Sequence, residues 1–209
     1  MKFMKNALVI LAGGKGTRFG QKTPKQFYKI DGQSIINIFI SNLDVKPFSL
    51  IIISLDKKYR NIIKKNPIFR LKSTKIIFSE PGTTRQKSSF NAIKKAKKYN
   101  LKNILIHDSA RPFCSNKLIK KILFNLKKNN CSIPYIKLND RQILMNNKND
   151  TKVINIQTPQ GFDYKLILKA HEKFKNENFS DDYSLIQKLN LKTNLIKGEN
   201  TNIKITFPE

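Results

Sequence analysis

Short, uninterrupted apolar runs, each closed by glycine, serine or an acidic residue, recur along the chain. Ala7 to Ala12 ("ALVILA"), Leu50 to Leu55 ("LIIISL"), Lys75 to Glu80 ("KIIFSE") and Asn103 to Asp108 ("NILIHD") are four of them. A run of this length bounded by turn residues reads as a buried strand. Continuous rather than alternating apolar character suits a parallel sheet covered on both faces. Between these runs the pattern changes to helical spacing. "QSIINIFISNL" (Gln33 to Leu43) follows the first strand. "SSFNAIKKAKKY" (Ser88 to Tyr99) sets Phe90, Ile93 and Ala96 on one face and lysines on the other. "NKLIKKILFNLKKN" (Asn116 to Asn129) repeats Leu118, Ile122 and Leu126 every four residues. "LILKAHEKF" and "SDDYSLIQKL" read as further helices, the second with Ser180 as N-cap. "CSIPYI", "TNLIKG" and "NIKITF" read as strands. Strands alternating with helices predict an α/β fold: a doubly wound, mostly parallel central sheet flanked by helices, in one domain over residues 1–209. The polar, Asn-rich stretch Lys137 to Asp150 predicts a loop or protruding element.

Charge changes this picture only a little. Of 209 residues, 41 are Lys or Arg and 14 are Asp or Glu, a formal net charge of +27. The lysines are spread along the whole chain, which reads as a solvated coat. They form no basic arm and no aromatic-studded strand, so no specific nucleic-acid partner is expected. The same positive field favours a small anionic substrate. Cys114 and Cys131 form no CxxC pair, and His107 and His171 are the only histidines, so neither a structural metal site nor zinc catalysis is expected. No apolar run approaches the roughly 20 residues of a membrane span. The N-terminal apolar run leads into glycines and charged sequence rather than a cleavage site, so a cytoplasmic protein is expected.

The chemistry concentrates after the predicted strands, where open α/β sheets bind ligands. "LAGGKGTRFG" (Leu11 to Gly20) follows the first. Its glycines let backbone N–H groups approach phosphate oxygens. The spacing matches neither the Walker loop nor the dinucleotide fingerprint. Arg18, and Lys25 in "PKQ" (Pro24 to Gln26), add two permanent positive charges. "PGTTRQKSSFNAI" (Pro81 to Ile93) follows the third strand, and "HDSARPF" (His107 to Phe113) ends the fourth. "QTPQGF" (Gln157 to Phe162), "SDD" (Ser180 to Asp182) and "GENTNIKIT" (Gly198 to Thr206) follow in order.

Taken together these motifs resemble, over essentially the whole chain, the 2-C-methyl-D-erythritol 4-phosphate cytidylyltransferases of the non-mevalonate isoprenoid pathway. The resemblance implies a Rossmann-like nucleotidyltransferase fold. It also implies transfer of CMP from CTP to a polyol phosphate, with release of pyrophosphate and with Mg²⁺ as cofactor. Ala12, Gly13, Gly14, Lys15 and Gly16 would line the nucleotide, with Ser109 nearby. Arg18 and Lys25 would stabilise the reacting α-phosphate, and Lys204 would bridge the two phosphates. Gly82, Thr83 and Ser88 match cytosine-reading positions; helix capping is the alternative for Ser88. Arg85 belongs to the same nucleotide-side element, and tying loop to loop is the role expected of it. Asp108 would contact the polyol or assist the metal, mainly through the triphosphate. Arg111, Thr158 and Ser180 match polyol-side positions. His107 is expected to be a packed, hydrogen-bonded neighbour.

The match breaks in one place. The family carries an Asp-Thr pair and then a hairpin arm that gives an arginine to the partner subunit's polyol site. Here the arm, about residues 137–152, is reduced. Arg141 stands beside Asp140 where threonine is expected, and only Lys148 and Lys152 follow as cations. Arg141 or a lysine would replace the arm arginine, and a homodimer is expected. The family pattern continues past Pro208-Glu209 with a helix, and in some members with a fused cyclase domain; "QTPQGFDYKLILKAH" resembles the fused versions. Two other readings stay open: a ribitol-5-phosphate cytidylyltransferase, which shares "AGG", "HDSxRPF" and "TPQ", and a catalytically degenerate nucleotide-binding protein. "TTRQKSS" and "SDD" favour the first reading.

Overall fold

A computed structural model describes residues 5–14, 23–137 and 154–206. Strand β1 (Asn6–Leu11) is central. The short hairpin β2 (Lys29–Ile30) and β3 (Gln33–Ser34) leads into helix α1 (Ile35–Asn42), and β4 (Leu50–Ser54) returns beside β1. Helix α2 (Arg60–Lys64) precedes β5 (Lys75–Ser79), followed by α3 (Arg85–Lys95), β6 (Asn103–Asp108) and α4 (Asn116–Asn125). The remainder comprises β7 (Cys131–Lys137), β8 (Ile154–Ile156), β9 (Gln160–Asp163), α5 (Tyr164–Lys173), α6 (Asp182–Lys188) and β10 (Asn194–Lys197).

The main sheet runs β10-β7-β9-β6-β1-β4-β5, with β8 on β7. Strands β5, β4, β1 and β6 are mutually parallel, as are β10 and β7, whereas β9 pairs antiparallel with β6 and with β7. The sheet is therefore mostly parallel, as the apolar runs predict. Alternate residues of each central strand supply opposite layers. Ala7, Val9, Leu50, Ile52, Ile104 and Ile106 pack toward α3, α5 and α6. Leu8, Ile10, Ile51, Ile53 and Leu105 pack toward α1 and α4. Both faces are dry, which is why these strands carry no polar alternation. No helix among the described residues is long and apolar enough to cross a membrane.

Three expectations are corrected. "NIKITF" is not a strand in its described part: Ile205 N–H bonds the Ala110 carbonyl, so the segment lies as a strap over the end of β6 rather than on a sheet edge. Ser180 is not the N-cap of α6. Asp181 caps it by accepting from Ser184 N–H, while the Tyr183 N–H that a cap at Ser180 would serve donates instead to Gln160 Oε1. Strands β8 and β9 and helix α2 are additional to the predicted elements. Of the expected arm, only Lys137 is described. Lys137 pairs with Ile154 at the end of the β7–β8 ladder, and residues 138–153 lie outside the described residues.

Candidate active site

The strand order β5-β4-β1-β6 reverses direction between β1 and β6, so the crevice for a ligand lies beyond their carboxyl ends. Ala12 to Gly14 leave β1 there. Ala12 N–H bonds the Ser54 carbonyl at the end of β4, and Gln26 Nε2 donates to the Ala12 carbonyl at 2.7 Å. These bonds fix where the glycine loop starts. Gly13 abuts the loop after β5: a Cβ there would fall 2.1 Å from Pro81 Cβ, so no larger residue fits. Lys15, Gly16 and Arg18 lie outside the described residues.

The second loop is tied down by helix α3. Thr84 caps that helix, accepting from Lys87 N–H. Ser88 Oγ accepts from Gly82 N–H at 2.9 Å and donates to the Thr84 carbonyl at 2.9 Å. Ser88 is thus not the cap; it fixes the Gly82–Thr83 turn. Gly82 is required for close approach, since a Cβ would sit 2.3 Å from Lys87 Cβ and 2.7 Å from its carbonyl carbon.

Asp108, at the carboxyl end of β6, is the electrostatic centre. Oδ1 accepts from Arg85 Nε and Oδ2 from Lys204 Nζ, both at 2.9 Å. Burial pushes this carboxyl up, but Arg85 and Lys204 outweigh burial and hold it well below the usual carboxylate range. Arg85 also gives Nη1 to Asp182 Oδ2 at 2.7 Å. Burial disfavours the Arg85 cation, and the two carboxylates more than compensate, raising its pKa further.

The strap Gly198–Thr206 collects the other cations. Lys25 Nζ donates to the Ile205 carbonyl at 2.8 Å, one residue beyond Lys204. Arg111 Nη1 donates to the Asn202 carbonyl at 2.7 Å and Nη2 to the Ile156 carbonyl at 3.3 Å. Gln157 Nε2 also donates to the strap, at the Glu199 carbonyl. Arg111 and Lys204 border a cavity of about 360 Å³ lined also by Ile156, Gln157, Asn202 and Ile203. Ser109 is buried, its N–H on the Leu11 carbonyl. Ser180 is exposed, two residues ahead of Asp182. Arg141 lies outside the described residues.

His107 and Thr158 form a chain whose directions follow from donor arithmetic. The Arg111 carbonyl only accepts, so His107 Nε2, 3.1 Å away, carries the proton. Nδ1 is then an acceptor, and Thr158 Oγ1, 3.2 Å away, donates to it. The same Oγ1 accepts from Asp108 N–H at 3.0 Å. Both imidazole nitrogens and the Thr158 hydroxyl are thereby committed within the fold, and what they position is the backbone of Asp108. Burial lowers the His107 pKa to about 4 from 6.5. The unfolded chain takes up this proton near pH 6.5 and the folded chain only near pH 4, so the contribution is full above pH 6.5 and is lost as pH falls toward 4. Acidification from about pH 7 to about pH 4.5 is expected to cost about 2–3 kcal/mol of stability at this residue. Denaturation of wild type and His107→Gln at both pH values checks it; equal losses in the two proteins would refute it. Cys114, pushed up by burial and Glu199, stays a thiol at neutral pH.

Among the described residues no cluster of three or more His, Cys, Asp or Glu could hold a metal ion. Asp108, the metal contact expected from sequence, has both oxygens engaged by cations. The arrangement as a whole is Asp108 paired with Arg85 and Lys204, Asp182 behind Arg85, and Lys25 and Arg111 on the strap, beside a glycine loop at a sheet switch point. Such a set can gather anions, and Asp108, Asp182 and His107 are all engaged rather than poised as bases.

Comparison with known proteins decides the family. The family model described as "IspD: 2-C-methyl-D-erythritol 4-phosphate cytidylyltransferase" matches residues 6–209. The chain belongs to this cytidylyltransferase family. It is 37% identical over 212 residues to "2-C-methyl-D-erythritol 4-phosphate cytidylyltransferase" of Thermosipho africanus, covering 96% of this chain and 92% of that protein. It is 39% identical over 210 residues to "Bifunctional enzyme IspD/IspF" of Pelagibacter ubique, covering 98% of this chain but only 55% of that longer protein. Among solved structures, the 4-diphosphocytidyl-2C-methyl-D-erythritol synthase of Anaerococcus prevotii superposes with a TM-score of 0.82 at 31% identity, covering 97% of this chain and 91% of that one. The IspD cytidylyltransferases thus share this mostly parallel sheet with flanking helices.

The Arg85–Asp182 link was not visible in the sequence. Its only trace was "SDD" itself, an acidic pair at a helix start. Gln26, Gln157 and Asn202, buried polar residues that hold the loops, were also missed.

Proposed function

We propose that this protein transfers CMP from CTP to 2-C-methyl-D-erythritol 4-phosphate and releases pyrophosphate. The observation that carries the reading is the pairing of Arg85 and Lys204 with Asp108 at the switch point, with Lys25 and Arg111 anchored on the strap that carries Lys204, in a chain of this family. An oxygen of the polyol phosphate attacks the α-phosphorus of CTP. The α–β phosphoanhydride bond breaks, and its electrons leave on pyrophosphate. A phosphate nucleophile needs no general base, which suits a site whose histidine is committed to hydrogen bonds. The protein must hold two anions together and neutralise the charge that builds at the α-phosphate.

Lys25 and Lys204, adjacent through the strap, are assigned to that charge, together with Arg18 by resemblance. Gly13, Gly14, Gly82 and Thr83 would cradle and read the nucleotide. Arg111, on the cavity of about 360 Å³, is assigned to the polyol phosphate. Asp108 would accept from a polyol hydroxyl while keeping Lys204 in place. Magnesium, when bound, would supply charge neutralisation on the triphosphate; phosphate oxygens would hold most of it, with Asp108 the carboxylate that would assist.

The test is pyrophosphate release from Mg²⁺, CTP and either polyol phosphate. Release with 2-C-methyl-D-erythritol 4-phosphate is expected. No release with it would refute the reading, and release only with ribitol 5-phosphate would replace it. A homodimer belongs to the same proposal; a sedimenting mass of one 24.2-kDa chain would remove it.

A further inference from the structure

Arg85 offers Asp108 less than it could. The Nε and Nη2 edge of a guanidinium matches a carboxylate bidentately. Here Asp108 Oδ1 receives Nε alone, and Nη2 is buried with no partner among the described residues. Closing Nη2 onto Oδ2 would put a second cationic donor on the oxygen that already accepts from Lys204 Nζ at 2.9 Å, and the two would compete for its charge. What opposes that rotation is the third nitrogen, Nη1, 2.7 Å from Asp182 Oδ2. Asp182 is itself fully buried and fixed from behind, its Oδ1 accepting from Ser89 Oγ at 2.6 Å and from His171 Nε2 at 2.9 Å. Ser89 comes from α3, His171 from α5 and Asp182 from α6, so three helices lock one carboxylate.

We propose that Asp182 is a positioning residue for the polyol phosphate side of the site. By holding Nη1 it keeps Arg85 monodentate on Asp108 and leaves Asp108 Oδ2 to Lys204 and to the substrate. The inference rests on the cytidylyltransferase reading above. It places the function of "SDD" in its last residue, acting at a distance through Arg85, and not in Ser180.

The test is steady-state kinetics of Asp182→Asn, Asp108→Asn and the double variant, with unfolding midpoints for each. Asp182→Asn is expected to raise KM for the polyol phosphate about 10-fold and to leave KM for CTP unchanged, the scale of a small misplacement of a contacting group. A purely structural defect lowers the active fraction and moves neither KM. The double variant should match Asp108→Asn alone, because the one residue acts through the other. Ser89→Ala, which removes only one donor to Asp182, is the milder variant should Asp182→Asn not fold; the same shift, smaller, is expected of it. Unchanged polyol KM in the folded variants, or additive effects in the double variant, would overturn the inference while an active wild type leaves the cytidylyltransferase reading standing. An inactive wild type would overturn both.

Discussion

Replacing Lys204 with alanine is expected to lower kcat about 10²–10³-fold, the scale of one preorganised electrostatic donor. The folded state should hardly notice. The Lys204 side chain is 41% exposed and its ion pair is with Asp108, which keeps Arg85 after the substitution. Asp108 is largely buried but the ammonium is half-exposed and Arg85 remains on the carboxylate, so the loss should lie near the top of the range for exposed pairs, about 1 kcal/mol. The strap does not depend on the ammonium either. Ile205 N–H bonds the Ala110 carbonyl, and the buried Asn202 side chain donates to the Thr158 carbonyl. The effect should therefore be kinetic. Before substrate arrives the ammonium rests on Asp108; a phosphate dianion placed beside it competes for the same charge. Lys204→Arg should recover only part of the rate, because a planar fork does not place its charge where a compact ammonium does. Pyrophosphate release and thermal unfolding, measured together, check both halves. A kcat within about threefold of wild type would reduce Lys204 to a surface cation.

How much of this was legible beforehand follows from what each element is made of. Strands β1, β4 and β6 were legible because both of their faces are buried, and burial writes itself as an apolar run; the edge strand β5, only partly buried, kept the same signal in Ile76, Ile77 and Phe78. Strand β9 was not, because Gln160-Gly161-Phe162-Asp163 contains one large apolar residue. It is a strand because it is wedged between β6 and β7, with Phe162 opposite both Ile104 and Cys131. "NIKITF" fails in the opposite sense. It alternates as an edge strand does, but Lys204 and Ile205 are recruited by Asp108, Ala110 and Lys25, partners far earlier in the chain. Ala12 to Gly14 were legible as a loop leaving β1, because glycines close the apolar run there, while the phosphate role read into the glycine loop and "PKQ" rests on the resemblance. The Arg85–Asp182 bond joins residues 97 apart, and no local pattern records such a partner. His107 illustrates the mixture: its packing role was readable, while its tautomer needed the Arg111 carbonyl and the Thr158 hydroxyl.

Substituting Arg85 with methionine is expected to destabilise the fold by about 3–5 kcal/mol, the cost of leaving buried charge without its partner. The side chain is only 23% exposed and the two carboxylates it serves are 12% and 1% exposed. Methionine fills a similar volume and keeps the helix propensity of the first turn of α3, so lost packing is a minor part of the change. Asp182 would retain Ser89 and His171, and Asp108 would retain Lys204, which is why the cost should not exceed that range. The pH dependence gives the mechanism away. In wild type Arg85 is the leading charge holding both carboxyls below their usual range against the desolvation that raises them. Without it desolvation regains ground, both pKa values rise toward or above the unfolded carboxylate value, and protonation relieves the buried charge. The stability these two groups contribute in wild type is present above that unfolded value and lost below it, so the gap between wild type and Arg85→Met should narrow as the solution is acidified through the carboxylate range. A lysine in place of Arg85 would meet one carboxylate and not two, since an ammonium cannot span both acceptors in the geometry of a fork; Arg85→Lys should fall between. Denaturant unfolding of the three proteins at neutral and acidic pH decides the matter. A loss below about 1 kcal/mol at neutral pH, or a gap that does not close with acid, would mean that Arg85 does not neutralise this pair and that water reaches Asp108 and Asp182 in the folded protein.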